Sequence, residues 1–319
     1  MIDAIKGFNF TKDEIAKAIK NNELLQISVN ISRKCNFHCL YCLMDGGTPR
    51  ENELTNDEIK NVLKEANKLG AKTWYIAGDG EPLLLDGIDD LIGYANELDM
   101  WVVLATNGEL LTEKRAAGLK TKNISIITKF NAFDKKIFDH LVQCKSTFVN
   151  FDGFYVPRGV ASLIKTGYNQ DTLTRAGIET VITTKNIDEI PKIYEFAEKH
   201  NLYSNIEMML PIGRAKQHQE LIPTDKNIEE LYNRLDVETN RCPANDKKDL
   251  SHYAGIDCSM RIRYSLYTNS CGDVYLCFSQ HPKLSTRMNV RNFAPKDIVA
   301  RRKFSKIPIK CACAYFSEN

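Results

Sequence analysis

The chain lacks the features that mark membrane, secreted and nucleic-acid-binding proteins. Its 319 residues hold no apolar run long enough to cross a membrane, and its first residues lack the basic-then-apolar pattern of a secretory signal. The formal net charge is only +2, so no basic surface for a membrane or a nucleic acid is indicated. Histidine is scarce, at 6 residues, and forms no cluster. We therefore expect a cytoplasmic globular protein without nucleic-acid or membrane partners.

Cysteine, in contrast, is abundant. The chain has 10 cysteines, and because cytoplasmic thiols stay reduced, this number favours metal binding over disulfides. Cys35, Cys39 and Cys42 follow the spacing C-x3-C-x2-C. A [4Fe–4S] cluster takes four ligands, so three thiolates leave one iron open to a small chelating molecule. The alternatives are a zinc site, with His38 as a further ligand, or three unrelated buried thiols.

A second motif follows an apolar stretch. Residues 73–77 are predicted to form a buried strand, which runs directly into Gly78-Asp-Gly-Glu-Pro82. Glycines let a backbone approach a ligand closely, and the Glu81 carboxylate can hold an ammonium group. Taken alone, such a segment is more often a plain turn.

Together, the cysteines and the glycine-rich segment resemble the radical S-adenosylmethionine (SAM) superfamily. The resemblance implies that SAM chelates the open iron, that Tyr41 lies by its adenine, and that Gly78–Pro82 binds its amino group. It also implies that the reduced cluster cleaves SAM to a 5′-deoxyadenosyl radical, which takes a hydrogen atom from a substrate carbon. The predicted SAM contacts are Tyr41, Gly78, Asp79, Gly80, Glu81, Asn107, Lys129 and Arg214.

Two of these contacts rest on weaker patterns. Arg214 stands in Pro211-Ile-Gly-Arg-Ala215, which resembles a P-x-G-R-A segment, and it is predicted to pair with the SAM carboxylate or to be a structural arginine. Lys129 and Asn131 are polar residues just past a buried strand, and either can touch the SAM ribose or the substrate. For Asn131, as for Asn107, a helix-capping role is the alternative. No histidine or carboxylate is nominated as a catalytic acid or base.

The pattern of apolar residues predicts strands alternating with helices, which favours a parallel α/β sheet. Periodicity does not distinguish an open sheet from a barrel, and the resemblance implies a partial (β/α)6 TIM-type barrel. The predicted strands are 25–31, 73–77, 101–106, 124–129, 178–184 and 205–210, and residues 131–168 are predicted as a loop-and-helix region. The predicted helices are 11–22, 56–68, 86–97, 112–120, 188–200 and 225–234.

A second set of cysteines follows this region. The run from Cys258 to Cys277 is C-x13-G-x4-C, which resembles the start of a SPASM or Twitch auxiliary-cluster domain. By that resemblance the metal ligands are Cys35, Cys39 and Cys42 for the first cluster and Cys258, Cys277, Cys311 and Cys313 for a second [4Fe–4S] cluster. Cys271 is a ligand or a bystander, and zinc is the alternative metal. The predicted domains are an N-terminal helical extension at 1–24, a barrel at 25–236 and an auxiliary domain at 237–319.

The resemblance implies a radical SAM oxidoreductase. The first hypothesis is oxidation or rearrangement of a small polar metabolite, such as an amino sugar, aminocyclitol or nucleoside, with the auxiliary cluster as electron acceptor. The second is a maturase of a ribosomally made peptide. The third is a non-catalytic electron-transfer protein, which would not need a SAM site. The expected partners are a small-molecule or peptide substrate and a flavodoxin- or ferredoxin-type electron donor.

Overall fold

The computed structural model describes residues 4–235, 264–275, 280 and 285–301. Its helices are α1 (Lys12–Asn21), α2 (Asn56–Lys68), α3 (Ile88–Glu97), α4 (Glu113–Lys120), α5 (Lys135–Val142), α6 (Arg158–Lys165), α7 (Ile190–Lys199), α8 (Asp225–Arg234) and α9 (Pro295–Arg301). Its strands are β1 (Gln26–Val29), β2 (Thr73–Ile76), β3 (Trp101–Thr106), β4 (Ile124–Lys129), β5 (Phe148–Phe151), β6 (Phe154–Pro157), β7 (Ala176–Ile182), β8 (Tyr203–Met208), β9 (Ser265–Thr268), β10 (Asp273–Tyr275) and β11 (Ser285–Asn289).

A nine-stranded sheet organises the fold, in the order β11-β10-β9-β1-β2-β3-β4-β7-β8. The strands from β1 to β8 in this sheet pair parallel to their neighbours, and each is followed by a helix. This confirms the predicted α/β class with a mostly parallel sheet, and it is consistent with a partial TIM-type barrel. No helix in the described ranges has the length and hydropathy required to cross a bilayer.

Helices α2 and α8 begin at the predicted residues, 56 and 225, and their first turns are capped. Thr55 accepts a hydrogen bond from the Glu58 backbone at 3.2 Å, and Glu58 accepts one from the Thr55 backbone at 2.8 Å. This capping box satisfies backbone donors that a helix start leaves open. The apolar face of α2 then packs on the convex face of the sheet through Ile59, Val62, Leu63 and Ala66.

The sheet is strongly curled. β2 and β8 are separated by three strands in the sheet, yet Tyr75 and Tyr203 belong to one apolar cluster with Val103 and Ile127. Side chains at alternate positions therefore share a concave face, while the helices cover the convex one. The N-terminal segment closes the lower end of this concave face, since Ile5 is fully buried in the same cluster.

Two predicted strands are displaced and one hairpin was missed. Strands β7 and β8 each begin and end two residues earlier than expected, and Gly177, which the pattern did not count as a strand residue, lies in β7 opposite Tyr203. The region 131–168 contains the antiparallel pair β5–β6. Its turn is Asp152-Gly153, with φ of 48° and 78°, and Asp-Gly is a strong sequence signal for such a turn.

The sheet continues past the predicted boundary at residue 237. Strand β9 pairs parallel with β1, and β10 turns back antiparallel on β9. The division at 237 therefore stays a prediction, although one sheet spans both sides of it. Four predicted ligands, Cys258, Cys277, Cys311 and Cys313, lie outside the described residues, as does Cys242.

Candidate active site at the cysteine loop

Cys35, Cys39 and Cys42 lie on one loop, residues 30–47, which follows the carboxyl end of β1. This cysteine loop closes on itself, because the Cys35 N–H donates to the Gly47 carbonyl at 3.0 Å. It is also tied to the end of α5, where the Leu40 N–H donates to Leu141 at 2.9 Å. Its position at the carboxyl edge of a parallel sheet is where α/β barrels bind ligands.

The surroundings of the three thiols suit an iron–sulfur cluster. Backbone N–H groups donate to two of the sulfurs, Phe37 to Cys35 at 3.5 Å and Gly46 to Cys42 at 3.3 Å. Burial raises the pKa of Cys35 to about 11 and that of Cys39 to about 12, so these thiols need a metal to stay ionised. Hydrogen bonds to sulfur and low polarity are the features by which proteins tune such clusters.

A single metal ion fits this loop less well. Within the described ranges, no three Cys, His, Asp or Glu residues are placed to hold one ion, and the His38 side chain is exposed. A cubane binds each thiolate to a different iron, so its ligands need not converge on one point. The donor set therefore fits three ligands of a [4Fe–4S] cluster.

The segment Gly78–Pro82 packs directly against the cysteine loop. The Glu81 N–H donates to the Lys34 carbonyl at 2.8 Å. A Cβ atom at Gly80 would lie 2.3 Å from that carbonyl oxygen, so only glycine permits this approach. The two motifs that were separate in the sequence thus form one surface.

The Glu81 carboxylate is held inside the protein. It accepts hydrogen bonds from the Leu83 N–H at 3.0 Å, the Thr106 hydroxyl at 2.6 Å and the Asn107 N–H at 2.7 Å. Burial raises the pKa of Glu81. The carboxylate links this segment to the end of β3, and its predicted contact with the SAM amino group stays a prediction.

Asp79 is also engaged within the chain and is 1% exposed. Its carboxylate accepts from Asn30 at 2.8 Å, from the Ser270 N–H at 2.8 Å and from Gln280 at 2.7 Å. Tyr267 on β9 donates to the same group at 3.3 Å. Asp79 therefore joins the glycine-rich segment to the C-terminal strands, a role that the sequence reasoning missed.

Arg214 clamps the cysteine loop from the opposite side. Its guanidinium donates to the carbonyls of Cys39 at 3.1 Å and Gly46 at 2.7 Å, and it lies 2.9 Å from the Asp45 carboxylate. This geometry matches the structural reading of Arg214. Its predicted pairing with the SAM carboxylate stays a prediction.

The remaining predicted residues line the inner side of the loop. The Asn107 amide donates to Asn36 of the cysteine loop at 2.7 Å. The Tyr41 hydroxyl accepts from the fully buried Asn131 at 2.6 Å, which fixes the ring between the second and third cysteines. Lys129 lies with its ammonium 5.7 Å from the centre of the Tyr41 ring.

Below Tyr41, the concave face carries a group of charged residues that the sequence reasoning missed apart from Lys129. The Lys129 ammonium lies 2.8 Å from Glu179, the residue opposite it on β7. The Glu207 side chain hydrogen-bonds to Glu179 and accepts from Asn205 at 2.8 Å. We call Lys129, Glu179, Asn205 and Glu207 the concave cluster. The sequence did contain a signal for this cluster, because Lys129, Glu179 and Glu207 are charged residues at inward positions of the apolar strands β4, β7 and β8.

The pKa values of Glu207 and Lys129 in the concave cluster are shifted from their ordinary values. Burial, followed by the charge of Glu179, raises the pKa of Glu207 to about 8. Burial lowers the pKa of Lys129, but Glu179 and Glu207 raise it by more. Near neutral pH, Glu207 therefore favours its protonated form, and it lies beside the Lys129–Glu179 salt bridge.

Comparisons with known proteins agree with this arrangement. Residues 29–148 match the family model of the Radical SAM superfamily. The chain is 25% identical over 262 residues to the mycofactocin maturase MftC of Mycolicibacterium smegmatis, covering 78% of this chain and 63% of that protein. It is 27% identical over 196 residues to a probable GTP 3′,8-cyclase of Methanopyrus kandleri, covering 60% and 58%. The chain thus spans about 60% of the length of these relatives.

Solved structures share the fold at low identity. The structure of Streptococcus suis SuiB bound to S-adenosylmethionine superimposes with a TM-score of 0.62 at 17% identity, covering 89% of this chain and 68% of SuiB. SuiB bound to its precursor peptide SuiA gives 0.59 at the same identity, covering 89% and 67%. The shared fold agrees with the match of residues 29–148 to the family model.

Proposed function

We propose that this protein is a radical SAM enzyme that abstracts a hydrogen atom from a carbon of a polar substrate. The observation that carries the proposal is the cysteine loop, with three thiols at the carboxyl edge of the sheet above a polar concave face. When bound, the cluster supplies the electron that cleaves SAM to methionine and a 5′-deoxyadenosyl radical. Cys35, Cys39 and Cys42 would hold it.

The other residues position and enclose the reactants. Gly80 brings the backbone of its segment against the cysteine loop, where backbone carbonyls can face the SAM amino group. Tyr41, fixed by Asn131, presents a buried ring between the thiols and the concave cluster. The apolar cluster that contains Ile5 closes the lower end and excludes water and stray hydrogen donors.

We propose oxidation or rearrangement of a small polar metabolite as the reaction class. The support is the polar concave cluster, which suits a hydroxylated or aminated molecule. The auxiliary cluster of Cys258, Cys277, Cys311 and Cys313 would accept the electron of an oxidation. We also propose a flavodoxin or ferredoxin as the reductant and a cytoplasmic location.

Peptide maturation is the alternative. It is favoured by two similar proteins, since MftC is a maturase and a structure of SuiB contains its precursor peptide. The GTP 3′,8-cyclase relative shows that the same region also occurs with a small-molecule activity. The concave cluster can bind a side chain or a metabolite, so the substrate class is decided by experiment.

The first test counts iron and follows SAM cleavage. Anaerobically reconstituted protein is expected to hold about eight irons per chain, and about four after the combined changes Cys35→Ala, Cys39→Ala and Cys42→Ala. With dithionite and SAM, only the parent protein should form 5′-deoxyadenosine. Cys144→Ala, a change in a cysteine outside both motifs, is the matched control and should retain the iron and the cleavage.

Other outcomes would change the proposal. About four irons together with zinc would make the C-terminal cysteines a scaffold and favour redox-neutral reactions. Iron without SAM cleavage in the parent protein would contradict the proposed enzyme and favour electron transfer.

A further inference from the structure

The concave cluster lies below the Tyr41 ring of the cysteine loop, on the side where SAM is proposed to bind. Lys129 is the last residue of β4, and its ammonium reaches toward Tyr41 of the cysteine loop. Lys129 and Glu179 are 20% and 13% exposed, so both are open to the space between the sheet and the loop. The cluster is therefore accessible from the side on which SAM is proposed to bind.

The cluster has two carboxyl groups and one cation. Glu207 is faced by Glu179 on β7, Lys129 on β4 and Tyr75 on β2. Of these groups only Lys129 is positively charged, and it is paired with Glu179 at 2.8 Å. Among the described residues, Glu207 thus has hydrogen bonds with Asn205 and Glu179, and it shares the charge of Lys129 with Glu179.

The Ser28 hydroxyl lies on the same concave face of the sheet and has no hydrogen-bond partner among the described residues. Ser28 is 2% exposed. It lies opposite Tyr75 on the neighbouring strand, and its neighbours Ile27 and Val29 point to the convex side. A buried hydroxyl without a partner costs free energy, which a bound polar molecule would recover.

We propose that Glu179 and Glu207 form the subsite for a positively charged amino group of the substrate. The ammonium supplies a second cation for the two carboxyl groups, and Glu207 gives up its proton to become its partner. Ser28 accepts a hydrogen bond from a further polar group of the same molecule. This inference rests on the proposed function, and it names an amine-bearing substrate, either an aminated metabolite or the amino group of a peptide side chain.

Calorimetric binding tests the subsite without turnover. The full-length reconstituted protein is titrated, with SAM but without reductant, with glucosamine and with a lysine-containing peptide. Each is compared with its N-acetylated form. At least one amine is expected to bind about tenfold or more tightly than its acetylated form. Titrations in buffers of different ionisation enthalpy should show release of about one proton per amine bound at pH 7.

The variant Glu207→Gln keeps the shape of the side chain and is expected to lose the amine preference and the proton release. Glu113→Gln, which removes a surface carboxylate 2.7 Å from Lys165, is the matched control and should keep both. Equal binding of every amine and its acetylated form, or an unchanged preference in Glu207→Gln, overturns the inference.

The two proposals fail separately. Absence of SAM cleavage in the parent protein refutes the proposed function, whatever the amine binding. Cleavage of SAM without any amine preference refutes the subsite alone. Preference for glucosamine indicates a metabolite, and preference for the lysine peptide indicates a peptide substrate.

Discussion

At the scale of single residues, Arg214 shows how one side chain can stabilise a cofactor loop. Its guanidinium reaches two backbone carbonyls and one carboxylate of the cysteine loop, and it is 14% exposed. A planar fork can make these contacts together, whereas a lysine ammonium is a single point. The cysteine loop therefore depends on the shape of this group as well as on its charge.

The change Arg214→Lys is expected to lower the free energy of unfolding by about 1.5–3 kcal/mol, because charged hydrogen bonds are lost in a part-buried place. Urea titration measures the loss. The control is Arg115→Lys, a forked pair with Asp89 at 2.6 and 2.8 Å on a more exposed surface, which should cost at most about 1 kcal/mol. A loss in Arg214→Lys no larger than in the control would contradict the clamp.

At the scale of elements, the packing of Gly78–Pro82 on the cysteine loop determines the site. The Cβ of an alanine at position 80 would lie 2.3 Å from the Lys34 carbonyl oxygen and 2.6 Å from the Arg33 carbonyl carbon. Both are backbone atoms, so the conflict is relieved only if the two loops move apart.

Gly80→Ala is therefore expected to displace the cysteines and to lose about four irons per chain. Gly118→Ala in α4 is the matched control, since a Cβ there meets nothing within 4 Å. That control should retain its iron and gain a little helix stability. Iron analysis after anaerobic reconstitution measures the difference between the two variants. A full iron content in Gly80→Ala would show that the cysteine loop still binds its cluster with a Cβ at position 80.

At the scale of the whole molecule, Asp79 links the first and last parts of the described chain. It accepts from Asn30 after β1 and from Ser270 after β9. Because β9 also pairs with β1, the C-terminal strands and the glycine-rich segment share one buried junction. A substitution at this junction is therefore expected to destabilise both the C-terminal strands and the glycine-rich segment.

Asp79→Asn places an amide donor among groups that already donate, so it leaves buried donors unsatisfied. Amide hydrogen exchange across residues 265–271 is expected to become about tenfold faster or more, while exchange in β7 stays unchanged. Asp89→Asn, a change in a surface carboxylate, is the control. Equal exchange rates in the parent and Asp79→Asn proteins would show that the junction does not depend on this carboxylate.

The sequence alone determined the elements and the cysteine loop. The helical pattern of residues 56–68, with Asp57 and Glu58 in the first turn, predicted α2 to the residue, since both signals are local. The spacing of Cys35, Cys39 and Cys42 was likewise sufficient to predict a three-thiol loop after β1. The β5–β6 hairpin was missed although its turn, Asp152-Gly153, is a strong local signal for a hairpin, so the sequence contained enough information to predict it.

Only the tertiary structure decided which side chains meet. Nothing local in the sequence shows that Asp79 is bound by Ser270, 191 residues later, or that Lys129 pairs with Glu179 across two strands. Such contacts arise from the parallel register and the curl of the sheet, which bring inward positions of distant strands to one concave face. The sequence therefore identifies the three thiols of the cysteine loop, and the tertiary structure determines which charged side chains lie below that loop.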